Sequence, residues 1–204
     1  MAGAAAEGDI KSSMVWLDIR FSFAYTRPLV QSNHKKEDFM TISEALLPEF
    51  DQEMANTRKT LERVPDAPDF RPHPKSMPLG KLAPHVAQLG GFGLSILSMP
   101  ELDFATGSYK PLPFESAAQL VKALDEGAAK VRQALIDTPD EAWSANWKLA
   151  INGHAIFEGS RFLAYREMFL NHLVHHRAQL GVYLRLNGIP VPSIYGPSAD
   201  EPLA

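Results

Sequence analysis

Residues 171–180 read NHLVHHRAQL and place three of the chain's seven histidines within five positions. They belong to an apolar, helix-patterned segment that we predict to run from about Ser160 to Leu186. His172 and His176 are four residues apart, so on a helix their rings lie one above the other on one face, about 6 Å apart. Two such rings can bind one metal ion, and a third ligand must then come from elsewhere in the chain.

Working outward from this segment, amphipathic periodicity predicts three further helices. The first runs from Thr41 to a stop at Pro65, the second from about Met77 to Ser98, and the third from roughly Glu115 to Ile136. Between the third and the last helix, apolar and polar residues alternate around Asn152-Gly153, which indicates a short β-hairpin. We therefore expect an all-α fold, a four-helix bundle with a hairpin before its last helix.

The first 39 residues do not share this pattern. Residues 14–30 mix aromatic and charged side chains at no sustained period. We expect residues 1–39 to be a poorly structured extension and residues 40–204 to form the helical domain. Met40 can be the natural start of the chain, and the alternative is that the extension contains a genuine accessory strand or helix.

Composition excludes several classes of function. The formal net charge of −4 gives no electrostatic basis for binding nucleic acid or an anionic membrane. With no cysteine, the chain offers only nitrogen and oxygen atoms as strong metal ligands, and a thiol reaction would need an external thiol. No apolar run is long enough to span a bilayer, and no signal peptide is evident. A cytoplasmic protein is expected.

His85 is the best candidate for the third ligand. It lies on the predicted core stripe of the second helix, and a buried imidazole needs either a hydrogen bond or a metal. A lone core histidine is usually only hydrogen-bonded, but together with His172 and His176 it suggests a three-histidine metal site with an open position. His175 points away from His176 by helical geometry, so we predict a hydrogen-bonding or substrate-side role for it. A swap with His172 stays open.

Two neighbours on the last helix are also candidates. Arg177 and Gln179 can orient ligands or bind a substrate carboxylate, although Arg177 can equally be a solvated helix residue. The other histidines, His34, His73 and His154, have no predicted role. No phosphate-binding glycine loop, nucleophile elbow or di-iron carboxylate pattern is present in the sequence.

From about Met40 to Glu201 the chain resembles the DinB-like family, damage-inducible metalloenzymes of bacteria. The resemblance rests on residues 79–85 (LGKLAPH), residues 171–180 and the closing segment 188–196 (GIPVPSIYG). It implies a four-helix bundle, frequent homodimers and a divalent metal, with zinc, nickel or iron all plausible, on His85, His172 and His176. Pro84 departs from the family pattern, in which a bulky residue is more usual at that position.

The same resemblance implies a function. Relatives include thiol S-transferases that use low-molecular-weight thiols and a mycothiol-dependent isomerase. We therefore expect a small-molecule substrate, with a metal-activated external thiol as the nucleophile and His175 or Arg177 assisting catalysis. The alternatives are a non-catalytic metal-binding stress-response protein and a plain helical dimerisation module.

Overall fold

The computed structural model describes residues 39–107 and 110–202. The predicted extension therefore lies outside the described residues except for Phe39, and so does His34. Within the described part, the chain is mostly helical and carries a small three-stranded sheet. None of the described helices is long and apolar enough to cross a membrane.

Four helices make up most of the structure, close to the predicted positions. They are α1 (Ile42–Leu61), α2 (Leu79–Ser98), α3 (Ala117–Asp137) and α4, which is continuous over residues 161–186. The start of α1 is a capping box, in which the Thr41 hydroxyl accepts from the Glu44 amide and the Glu44 carboxylate accepts from the Thr41 amide. α3 and α4 each pack against both α1 and α2.

The predicted hairpin is confirmed. β2 (Asn146–Ile151) pairs antiparallel with β3 (His154–Ser160), and the turn residues Asn152 and Gly153 have φ of 52° and 76°. Positive φ at both positions is the geometry that favours an Asn-Gly pair. A third strand, β1 (Glu101–Asp103), pairs parallel with β2 and was not predicted from the sequence.

Glycines in α2 allow other helices to come close. A Cβ built on Gly90 would lie 3.2 Å from the backbone carbon of Gly127 in α3. A Cβ on Gly93 would lie 2.9 Å from ring atoms of Phe169 in α4. Pro84 lies inside α2, and the helix continues through it to Ser98.

α4 contains a π-helical segment, Tyr165–Asn171, between an α-helical turn, Arg161–Ala164, and a longer α-helix, His172–Leu186. A regular helix turns by about 100° per residue. Counted back from the buried Leu173, this would turn Phe162 into the core and Ala164 toward solvent. The structure shows the opposite, because Ala164 is 0% exposed and Phe162 is 40% exposed. The π segment absorbs one extra residue and changes the register of the helix.

Candidate metal centre

Three histidines come together between α2 and α4. One ring nitrogen from each of His85, His172 and His176 lies within 4.8 Å of the other two, and all three side chains are partly buried. Nε2 of His85 lies 3.3 Å from Nε2 of His172. The ring centroids of His85 and His176 are 4.6 Å apart, as are those of His172 and His176. The structure thus brings together the three residues that the sequence suggested as metal ligands.

Hydrogen bonds orient both histidines of α4. Nδ1 of His172 lies 3.2 Å from the Met168 carbonyl oxygen, and Nδ1 of His176 lies 2.8 Å from Oε1 of Gln179. Because these oxygens only accept, each Nδ1 carries the proton in the neutral ring. Each Nε2 therefore presents a lone pair. Such outer hydrogen bonds are typical of metal-binding histidines.

Electrostatics keep the cluster neutral. Burial and the neighbouring histidines lower the pKa of His85 from 6.5 to about 4. Burial, followed by the charge of His176, lowers the pKa of His172, while a hydrogen bond to Met168 opposes that shift. Burial also lowers the pKa of His176, against the effect of Gln179. All three rings are therefore neutral at pH 7, which is the protonation state a metal ligand needs.

The donor set fits a divalent ion. In tetrahedral zinc coordination, with Zn–N near 2.0–2.1 Å, neighbouring ligand nitrogens are about 3.3 Å apart, close to the separation of His85 and His172. Within residues 39–107 and 110–202, the side chains that together could hold a metal ion are these three imidazoles, and no carboxylate belongs to the group. Three neutral nitrogen ligands suit zinc, nickel or iron more than magnesium or calcium.

His175 lies at the solvent side of this cluster. Its side chain is exposed, and its ring centroid is 4.9 Å from that of His176. It is thus adjacent to the three histidines but outside the group whose nitrogens converge. Its position is consistent with contact between His175 and a substrate. His154 and His73 are exposed elsewhere on the surface.

Arg177 points to another part of the molecule. It is 3% exposed and forms a 2.5 Å ion pair with Glu53 of α1. Its guanidinium also donates to the Thr57 hydroxyl at 3.3 Å and to the Tyr195 hydroxyl at 2.5 Å. The Tyr195 hydroxyl in turn donates to the Glu53 carboxylate, at 2.8 and 2.9 Å. Arg177 is therefore a buried residue that ties α4 to α1 and to the C-terminal segment.

A separate cavity of about 510 Å³ lies beside this ion pair. It is formed by α4, the end of α1 and the C-terminal segment, and its lining includes Arg177, Val182, Ile194 and Tyr195. Gly181 also lines the cavity, and by helical geometry it lies about 140–180° around α4 from the two metal-candidate histidines of that helix. None of His85, His172 and His176 lines this cavity, so it is distinct from the histidine cluster.

The sequence reasoning missed Glu53 and Tyr195 as partners of Arg177. Glu53 is one of several acidic residues in an amphipathic helix, and such residues are most often solvated. Its partner lies 124 positions further along the chain, so local periodicity carries no signal for the pair. By contrast, Gln179 is in the place expected of a residue that orients a histidine.

Comparison with known families identifies the chain. The sequence model of the DinB family matches residues 33–202. The chain belongs to the DinB family. Within the DinB family, the fold is shared with a DinB-like protein from Bacillus cereus ATCC 10987, at 23% identity and a TM-score of 0.57 over 77% of this chain and 99% of that one.

A second solved structure shows the same DinB-family fold. It is a proposed member of the family from Exiguobacterium sibiricum 255-15, with 24% identity and a TM-score of 0.55, covering 76% of this chain and 97% of the other. At these identities the likeness concerns the fold alone. No curated protein of established function matches the DinB-family chain.

Proposed function

We propose that this chain is a divalent-metal-dependent enzyme of the thiol S-transferase type, built on the DinB four-helix bundle and using an external low-molecular-weight thiol. The observation that carries the proposal is the convergence of three neutral imidazoles on one point. Among the described residues, no carboxylate belongs to this group. Three protein ligands leave a position open for a substrate atom, which is the arrangement of catalytic rather than structural zinc sites.

His85, His172 and His176 would hold the metal, zinc being our first choice and nickel or iron the alternatives. When bound, the metal would lower the pKa of a coordinated external thiol and supply a thiolate nucleophile at neutral pH. The Met168 carbonyl and the Gln179 side chain hold Nδ1 of two ligands, so each ring keeps its orientation.

We assign different roles to the two further candidates. His175 is exposed next to His176 and is placed to bind the substrate or to exchange a proton with it at the solvent edge. Arg177 has its donors engaged by Glu53, Thr57 and Tyr195. These contacts favour a role in positioning α4 over direct contact with a substrate carboxylate.

The alternative is a non-catalytic metal-binding stress-response protein. A fourth protein ligand closing the site would favour it, and the described residues place no carboxylate in the cluster. We also propose a homodimer located in the cytoplasm, and the family resemblance supports the dimer.

Metal content of the purified, untagged protein is the first test. We expect about one divalent ion per chain, lost in the His85→Ala/His172→Ala/His176→Ala variant. A matched control is His73→Ala/His154→Ala, which removes two exposed histidines and leaves metal content unchanged. Thiol binding is then tested on the cobalt-substituted protein with 2-mercaptoethanol, which gives a thiolate-to-metal absorption band if it coordinates.

The outcomes separate the proposals. Absence of metal in the wild type, with a thermal midpoint equal to that of the triple variant, would refute the metalloenzyme. Bound cobalt that gives no thiolate band with any small thiol would refute thiol activation and favour the non-catalytic alternative. His175→Ala should keep the metal and reduce turnover at least tenfold once a substrate is found.

A further inference from the structure

The ends of α4 are anchored to different helices. At its start, the Arg161 guanidinium donates to the carbonyl oxygens of Ile96 and Leu97, the last turn of α2, at 2.7 and 2.6 Å. Further along, Arg177 is paired with Glu53 of α1. Each anchor sets the rotation of its own part of α4. The π segment lies between these two anchors and changes the rotation of one part of α4 relative to the other.

The π segment changes the hydrogen bonds beside the metal candidates. In an α-helix, the amide of His172 would donate to the carbonyl of Met168. Here that amide donates to the Phe169 carbonyl instead, and the Met168 oxygen accepts from Nδ1 of His172. The irregular backbone thus makes a carbonyl available to orient the ring of a metal candidate.

Phe169 seats this segment on α2. Its ring lies against Gly93, because a Cβ at that position would come within 2.9 Å of two ring carbons. Phe50 and Tyr165 pack around the same ring, with centroids 6.3 and 5.4 Å away. A buried ring enclosed in this way has little freedom to move, so a displacement at Gly93 must pass to the backbone that carries Met168 and His172.

We propose that the π-helical segment is the positioning element of the histidine site and that Phe169 and Gly93 are its positioning residues. The contact between the Phe169 ring and Gly93 sets how closely α4 approaches α2. The spacing between these two helices determines the position of the His172 ring relative to the His85 ring. This inference rests on the proposed metal site, and its test uses metal affinity rather than turnover.

The first comparison pairs two glycine variants of α2. Gly93→Ala adds a methyl group against the Phe169 ring, whereas Gly91→Ala adds the same group where no atom lies within 4 Å. We expect Gly93→Ala to weaken zinc binding at least tenfold by chelator competition and to change the visible spectrum of the cobalt-substituted protein. Gly91→Ala should bind zinc within twofold of the wild type.

A second comparison decides the matter if Gly93→Ala does not fold. Phe169→Leu replaces the ring that rests on Gly93 with a smaller side chain, and Leu135→Val shortens a fully buried side chain of α3 as the control. Both should lower the thermal midpoint, but only Phe169→Leu should weaken zinc binding, by at least threefold.

Wild-type protein without affinity for zinc or cobalt would overturn the metal site itself. Wild-type affinity retained in Gly93→Ala, with an unchanged cobalt spectrum, would overturn only the positioning role. If Gly93→Ala does not fold, equal zinc affinities of the Phe169→Leu and Leu135→Val variants would likewise overturn the positioning role.

Discussion

Substitution of Glu53 by alanine leaves the Arg177 guanidinium without its carboxylate in a buried position. The two side chains are only 8% and 4% exposed, and their closest atoms are 2.5 Å apart. Removing one partner of a buried ion pair costs about 3–5 kcal/mol, because the remaining charge stays desolvated. For a domain of this size, 1 kcal/mol corresponds to roughly 2–4 °C. We therefore expect the thermal midpoint of Glu53→Ala to fall by about 6–20 °C.

The assay is urea denaturation followed by tryptophan fluorescence, with thermal denaturation alongside. Glu49→Ala serves as the control, because Glu49 lies on the same helix and pairs with Arg166 at a more exposed position. Such surface pairs contribute up to about 1 kcal/mol. Replacing the buried pair with Glu53→Leu and Arg177→Met together should recover most of the stability, since apolar residues of similar volume often replace a buried pair at no cost.

Equal losses of stability in Glu53→Ala and Glu49→Ala would refute this reasoning. In that case the carboxylate of Glu53 would contribute no more than a solvated one. A double variant less stable than Glu53→Ala would also contradict it, because the penalty would then come from lost packing and not from an uncompensated charge.

Two further predictions follow from the site and from the hairpin. The pKa of His85 is lowered to about 4 in the folded protein, and those of His172 and His176 are also lowered. Below pH 6.5 the unfolded chain therefore binds more protons than the folded chain. The urea midpoint of the metal-free protein should therefore decrease as the pH is lowered from 7.5 to 5, and it should decrease less in His85→Ala. A urea midpoint that does not change with pH would contradict this. Gly153→Ala, at φ 76°, should lower the free energy of unfolding by about 1 kcal/mol. Gly91→Ala in α2 should raise it by up to about 1 kcal/mol. Urea midpoints that shift in the same direction in both variants would disprove the contrast.

Much of the helical pattern was predictable from the sequence. The i,i+4 spacing of His172 and His176 places both rings on one face wherever the helix is regular, and these residues lie in its regular part. His85 could be predicted because a polar residue on an apolar stripe stands out. Asn152-Gly153 predicted the hairpin because few other pairs tolerate positive φ at two successive positions.

The remaining features depend on tertiary structure. Counting a constant helical period places Phe162 in the core, and it is exposed because the π segment changes that period. Strand β1 has only three residues, and it pairs with β2, which lies beyond α3 in the sequence, so no local pattern indicates the pairing. The partnership of Glu53 and Arg177 carries no local signal, since it joins helices far apart in the sequence.

The distance along the chain between these partners also bears on the order of folding. Glu53 and Arg177 are separated by 124 positions and His85 and His172 by 87, whereas α2 and α3 are consecutive helices with a close glycine contact. Closing a longer loop costs more chain entropy, so local helix pairs form before distant ones. We therefore expect the histidine cluster to form late in the folding reaction. A metal that binds only the completed cluster would slow unfolding and leave the folding rate almost unchanged.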